Sequence, residues 1–360
     1  MSITEPLVEH PASIRDVARV AGVSRQTVSR VINKHPSLRP ETRDRVLAVI
    51  DELKYRPNRV ARALGSHRSH TFGVLATQQR HYGISAAIQS IEEAAQEVGC
   101  LVNTVNLVSD SPESIREALA LQIDQMVDGI VILAPQTKVL DEINELALSI
   151  PHVLLYSLSA EDPQEPFVDQ FAGARAATRH LLDLGHRDIC HVAGPQGWME
   201  AEARLHGFLE ELTAAGLPAR AVLFGDWTAD SGFQAGQELA RIGHITAVFS
   251  ANDQMALGLT HAFHQAGLNV PGDISIVGFD DIPEAAYFWP PLTTVRQDFA
   301  ELGRRCVAQL VSSALLGAQV HLAPWQPYLV VRSSTGRPRR RSSRAQNNPL
   351  SGLDKHRDLS

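Results

Sequence analysis

Residues 24–33 read Ser-Arg-Gln-Thr-Val-Ser-Arg-Val-Ile-Asn, and their chemistry lies in the order of the types. Turning about 100° per residue from Arg25, helical geometry puts Arg25, Ser29, Asn33, Gln26 and Arg30 near 0, 40, 80, 100 and 140°. Thr27, Val31, Val28 and Ile32 fall near 200, 240, 300 and 340°. One arc is therefore strongly polar and the opposite arc is aliphatic. An arginine can donate two hydrogen bonds to guanine O6 and N7, and a glutamine can pair with adenine. Serine and asparagine serve either base edges or phosphates. A solvated helix face normally mixes charges of both signs, but this one carries no carboxylate. The chemistry on offer is the reading of DNA in a major groove; the plain alternative is a solvated polar face.

Such a helix needs a rigid support. Ser13 followed by Asp16 gives a capping-box-like start, and Ile14, Val17, Ala18 and Ala21 then recur at helical spacing. Gly22 stops this helix and Ser24 can cap the next. A third helix is predicted from about Pro40, with Val46, Val49, Ile50 and Leu53 inward and Pro57 ending it. Two helices joined by a tight glycine-containing turn form a helix-turn-helix.

The charge distribution agrees. The 360-residue chain has a net charge of −7, but residues 1–70 carry +6, residues 336–360 carry +5 and residues 71–335 carry −18. A basic head on an acidic body suits a chain whose first segment meets a polyanion. Cys100, Cys190 and Cys306 lie too far apart for a ligand set and read as buried thiols. No secretory signal is visible, and no apolar run approaches the roughly 18–20 residues of a membrane span. The expectation is a soluble cytoplasmic protein with no membrane partner, nucleoid-associated when it holds DNA.

From Thr71 the pattern changes to apolar runs separated by amphipathic helices. Strands are predicted at 72–76, 101–106, 129–133, 153–156, 189–193, 221–224, 247–250 and 275–279, with helices such as 85–98 and 171–184 between them. Alternation of this kind implies parallel sheets in two α/β lobes with a cleft between. The fold class is thus an all-α head followed by a two-lobed α/β body. The divisions fall at 1–57 for the head, 58–70 for a hinge, 71–335 for the ligand-sensing body and 336–360 for a basic, disordered tail. His261 and His264 share a helix face but lack a third ligand, so no metal is expected. Asp280 and Asp281 are consecutive and should not face one target. No nucleophile–base pair, P-loop or dinucleotide fingerprint is present, so neither enzyme activity nor a cofactor is expected.

The run from Asp16 to Asn33, followed by Glu41-Thr-Arg43 and Tyr55-Arg-Pro-Asn58, resembles the headpiece of the lactose-repressor/galactose-repressor family. The resemblance implies that Arg25, Gln26 and Arg30 read bases, while Ser24, Ser29, Asn33 and Thr42 position the head on phosphates. Arg39 departs from the pattern, because the family commonly places a serine or threonine cap there. Residues 58–64 are too few to nucleate a stable helix alone. They read either as a flexible linker or as a segment that folds on operator DNA beside its dimer mate. The resemblance, unbroken through Asn58 and Ala61, favours folding, with Leu64 wedged into a minor-groove step. A homodimer then implies a pseudo-palindromic operator.

The resemblance extends over most of the body and implies a fold like that of periplasmic binding proteins. It passes through Ala193-Gly-Pro195, Arg204-Leu-His-Gly-Phe208, Ser250-Ala-Asn-Asp253, Val277-Gly-Phe-Asp-Asp281 and Pro291–Gln297. Carried over, Arg204, Asn252 and Asp280 would bond a polar effector. Trp227 and Phe299 would lie against its apolar face, with Gln78, Tyr82 and Gln297 closing the cleft. For Trp227 the alternative is plain core, and for Asp280 a turn cap. Tyr156 stands where some sugar-binding relatives have a carboxylate. The expected function is a repressor whose operator affinity is modulated by a mono- or disaccharide inducer. The alternatives are a purine-type corepressor and a sugar-binding transport protein, the latter disfavoured by the head.

Overall fold

The computed structural model describes residues 12–32, 38–56, 68–77, 81–146, 148–155, 168–316 and 325–339. Asn33, Asn58, Ala61, Leu64, Gln78 and Tyr156 lie outside the described residues, as do most of the expected hinge and residues 340–360. The chain divides into two compact units. One comprises Met1–Thr71 with Asp124–Asp128, and the other Phe72–Ile123 with everything from Gly129 onward.

The head is built from three helices: α1 (Ile14–Ala21), α2 (Arg25–Ile32) and α3 (Pro40–Glu52). Val17, Ala18, Ala21, Val28, Val31, Val46 and Val49 form its core. At the start of α1, Ser13 N–H and Oγ donate to Asp16 Oδ2 at 3.0 and 2.7 Å. These bonds hold the Asp16 carboxyl below its ordinary range. Gly22 takes φ +63°, the left-handed conformation that ends α1 without a Cβ clash. Arg39 precedes α3 without a side-chain cap, as its departure from the family pattern implies. The expectation that Pro57 ends α3 needs correction. The helix stops at Glu52, Lys54 turns to φ +46°, and Tyr55 N–H reaches back to Ile50 O at 2.9 Å. This left-handed cap satisfies the end carbonyls before the proline is reached.

The first lobe of the body holds β1 (Thr71–Thr77), β2 (Leu101–Leu107), β3 (Gly129–Leu133) and β4 (His152–Leu154) in the order β2-β1-β3-β4. Helices α4 (Tyr82–Glu97), α5 (Pro112–Asp124) and α6 (Thr137–Leu146) connect them. The second lobe holds β5 (Ile189–Ala193), β6 (Val222–Phe224), β7 (Ala247–Ser250), β8 (Ser275–Asp280), β9 (Thr293–Arg296) and β10 (Tyr328–Val330), ordered β10-β9-β8-β7-β5-β6. Its helices are α7 (Gln170–Asp183), α8 (Met199–Ala214), α9 (Ala229–Ile242) and α10 (Asp253–Gln265). The chain then returns to the first lobe as α11 (Phe299–Val311), which packs on α4. β5, β6, β7, β8 and β9 pair in parallel, while β10 closes the edge antiparallel to β9.

Sequence patterning missed β9 and β10 because Thr293-Thr-Val-Arg296 and Tyr328-Leu-Val330 are short and partly polar. Thr293 and Thr294 are nevertheless buried: Thr293 N–H donates to Ser334 Oγ, and Thr294 Oγ1 donates to Asp253 Oδ1 at 2.6 Å. The tail boundary also needs correction. Residues 336–339 belong to the body: Gly336 N–H donates to Ser275 Oγ at 3.0 Å, Gly336 O bonds the His186 ring, and Arg339 pairs with Asp273.

Candidate DNA-reading face and ligand cleft

In the head, α2 presents Arg25, Gln26 and Arg30 to solvent, while Val28 and Val31 are buried behind them. Among the described residues, none holds those three long side chains in a hydrogen bond or ion pair. Ser24 Oγ accepts from Thr27 N–H at 3.1 Å, so its oxygen caps α2 in the free head. Ser29 is partly exposed on the same helix, and Thr42 lies partly exposed in the first turn of α3. The turn, the cap and the valines together fix a carboxylate-free cationic face on a short rigid helix.

In the body, a cavity of about 500 Å³ opens between the two lobes at the carboxyl ends of the second lobe's strands. Tyr82 and Phe299 line it from the first lobe, with their rings edge to face at 5.8 Å. Trp198 and Trp227 line it from the second, ring to ring at 5.9 Å. Trp227 takes φ +72°, and its indole covers Gly194 so closely that a Cβ there would meet the ring at 2.2 Å. The glycine after β5 is what lets the indole lie on the strand end.

The polar groups close into a ring. Arg204 Nε donates to Gln170 Oε1 at 2.9 Å, Gln170 Nε2 to Gln297 Oε1 at 2.8 Å, and Gln297 Nε2 to Asp280 Oδ1 at 2.7 Å. Arg204 completes it at 3.6 Å from Asp280, its guanidinium lying 3.9 Å from the Phe279 ring centroid. A second guanidinium nitrogen donates to Ala251 O. Asn252 is fully occupied: Oδ1 accepts from Met255 N–H at 2.9 Å, and Nδ2 donates to Trp227 O and Gln254 Oε1. Arg204 and Asn252 thus build the wall of the cleft. In a low-dielectric site such a closed network is rigid, and removing one member leaves its neighbours unpaired.

Burial pushes the Asp280 carboxyl up to about 6, opposed by Arg204 and the Gln297 hydrogen bond. It pushes Glu200, in the first turn of α8, up to about 7, again opposed by Arg204. Burial and the nearby Asp280 raise Tyr82 to about 12, so its phenol stays neutral. Asp281 faces away, gripped by Arg296 at 2.5 Å and Arg332 at 2.6 Å, so the consecutive aspartates serve separate ends. Across the mouth, Met199 N–H donates to Pro135 O at 2.9 Å, and Trp198 bridges to Gln136. The start of α8 is thereby tied to the first lobe.

Residues 13–58 match the family described as bacterial regulatory proteins, lacI family, and residues 178–335 match the periplasmic binding protein-like domain. The chain is 36% identical over 308 residues to the lactose operon repressor of Escherichia coli (strain K12), covering 84% of each chain. This chain belongs to the lacI family. Another relative is the HTH-type transcriptional repressor PurR of Actinobacillus pleuropneumoniae serotype 3 (strain JL03), 33% identical over 90% of this chain and 98% of its own. Among solved structures, a Lac repressor dimer bound to operator and the anti-inducer ONPF superposes with a TM-score of 0.83 at 34% identity, covering 91% of this chain and all of that one. The regulator CelR in complex with cellobiose gives 0.65 at 31% identity, over 90% of this chain and 99% of its own.

Within this lacI-family body the structure brings Tyr82, Arg204, Trp227, Asn252, Asp280, Gln297 and Phe299 around one cavity. Sequence reasoning missed Gln170, Trp198 and Glu200. An available signal was position: Trp198 and Glu200 follow the Ala193-Gly-Pro195 turn, at a strand's carboxyl end where parallel sheets place ligands. A glutamate in a helix's first turn reads as ordinary dipole compensation, which concealed it. Among the described residues no group of three or more His, Cys, Asp or Glu is placed to hold a metal, and no helix is long and apolar enough to cross a membrane.

Proposed function

We propose that this chain is a transcriptional repressor that binds a pseudo-palindromic operator as a homodimer and releases it when a mono- or disaccharide occupies the cleft. The observation that carries this reading is α2, whose outward Arg25, Gln26 and Arg30 have no partner among the described residues and no carboxylate beside them. Arg25, Gln26 and Arg30 read base edges, while Ser29 and Thr42, with Ser24 and Asn33, position the head on phosphates. Asn58, Ala61 and Leu64 form the hinge segment that orders on DNA. The divisions are a head to residue 57, a hinge to 70 and a sensing body to about 339.

In the body, Tyr82, Trp198, Trp227 and Phe299 offer ring faces to the apolar side of a saccharide, and Asp280 accepts from its hydroxyls. The lactose operon repressor and the cellobiose complex of CelR support a saccharide effector. Occupation of the cleft shifts the population of lobe arrangements, and the hinge passes that shift to the heads with a coupling on the order of 1–3 kcal/mol. The protein acts by binding, not turnover, and works in the cytoplasm on the nucleoid. Selection of binding sites from random duplexes, followed by titration of the selected complex with mono- and disaccharides, tests this. The expected result is a pseudo-palindrome released by a sugar. Tightening by a purine base, with no response to any sugar, would replace the inducer with a corepressor.

A further inference from the structure

Among the described lining residues, Glu200 is the one buried acid outside the polar ring. It is 8% exposed and lines the cavity, yet its Oε2 has no hydrogen-bond partner among the described residues. A buried carboxyl oxygen without a partner is costly, and in a ligand cavity the missing partner belongs to the ligand. A second group points the same way. Trp227 is 5% exposed and its indole Nε1–H is also unpartnered on the same cavity wall. The walls are strongly acidic: Asp169, Glu200, Glu202, Glu210 and Asp280 line the cavity, and Arg204 is the single Lys or Arg among the described lining residues. Arg175, 3.6 Å from Glu210, offsets one of these acids from outside. Arg204 itself is committed to Gln170, Ala251 O and Asp280. Among the described lining residues no Lys or Arg is therefore left to receive an anionic group, and of the two lining imidazoles burial lowers the pKa of His81 while His206 is exposed. Burial raises the Glu200 carboxyl to about 7, and Arg204 offsets only part of that rise.

Resting on the saccharide reading above, we propose that Glu200 is a specificity-determining residue: its Oε2 accepts a hydrogen bond from a hydroxyl of an uncharged sugar, and its charge excludes phosphorylated and carboxylated sugars. A hydroxyl donates to Glu200 while a ring or hydroxyl oxygen accepts from Trp227 Nε1. A phosphate or carboxylate at the same place would oppose Glu200 and Asp280 together, with no guanidinium left to receive it among the described lining residues.

The test uses the full chain at pH 8, where the Glu200 carboxyl is ionised, and matched probes: glucose with glucose 6-phosphate, glucose with glucuronic acid, galactose with galacturonic acid, and lactose with lactobionic acid. Affinities are followed by tryptophan fluorescence, because Trp198 and Trp227 line the cleft. The wild type should bind at least one uncharged member about tenfold or more tightly than its anionic partner. Glu200→Gln should weaken the uncharged sugar by about tenfold, as expected when a charged acceptor is replaced by a neutral one. It should also narrow the gap between the partners. Equal wild-type affinity for charged and uncharged partners would overturn the proposal without any variant. So would a folded Glu200→Gln protein with unchanged affinities and discrimination. In either case sugar binding itself would stand. If no uncharged sugar binds, both this proposal and the saccharide effector fall.

Discussion

Arg30 and Arg204 carry the same guanidinium in opposite surroundings. Arg30 projects from α2 into solvent, with no partner among the described residues, on a face without carboxylates. Arg204 is 4% exposed, lies on the Phe279 ring and closes a polar circuit through Gln170, Gln297 and Asp280. The head keeps its cations idle so that a polyanion can engage them. The body spends its buried cation on its own wall, so that ligand chemistry falls to acceptors and aromatic faces. On the reading proposed above, the same residue type is a reader in one unit and a strut in the other.

The comparison is most severely strained by Arg204→Ala. That change leaves Asp280 and Glu200 buried without their cation, and loss of one partner of a buried pair costs about 3–5 kcal/mol. Denaturant melts of the body should register this loss. Stability like that of the wild type would mean that the polar ring is not a strut.

The next effect is pH dependence. Burial raises Glu200 to about 7 and Asp280 to about 6, so the folded body holds protons that the unfolded chain has already released. Stability from these groups is therefore present at low pH and is lost as pH rises through the window from about 4 to 7. Glu200→Gln should flatten the fall in unfolding free energy between pH 5 and pH 8 by on the order of 1–3 kcal/mol. Parallel pH profiles for wild type and variant would contradict the assignment.

The smallest effect belongs to the head, where Ser24→Ala removes the oxygen that caps α2 at Thr27 N–H. Loss of such a cap costs about 1 kcal/mol. Thermal melts of the full chain should show a small loss confined to the helical head signal. No change would place Ser24's role wholly on DNA.

Much of this was legible in the sequence, for uneven reasons. The three helices of the head follow from apolar spacing, Gly22 and the Ser13–Asp16 pair, all local signals. All eight strands predicted for the body appear at or near their bounds, and in β1, β3, β5, β7 and β8 the signal is an apolar run buried on both faces. β9 escaped because its burial depends on partners more than 35 residues away in sequence, through Ser334 and Asp253. The cleft was legible by residue type but not by role. That Asn252 is spent on a helix cap and a backbone oxygen depends on how α10 meets Trp227, which no spacing rule reports. Glu200 was overlooked because its significance is the absence of a partner, visible only when the whole wall is assembled.

Operator recognition rests most heavily on α2, the proposed reader of sequence. Quantitative gel shifts of wild type and Arg30→Ala on a selected operator and on a scrambled duplex of equal length test it directly. Loss of one bidentate base contact should weaken operator binding by about 1–3 kcal/mol. Binding to the scrambled duplex should change far less, so the preference for the operator collapses. An Arg30→Ala protein that still discriminates the two duplexes as the wild type does would contradict the reading of that helix.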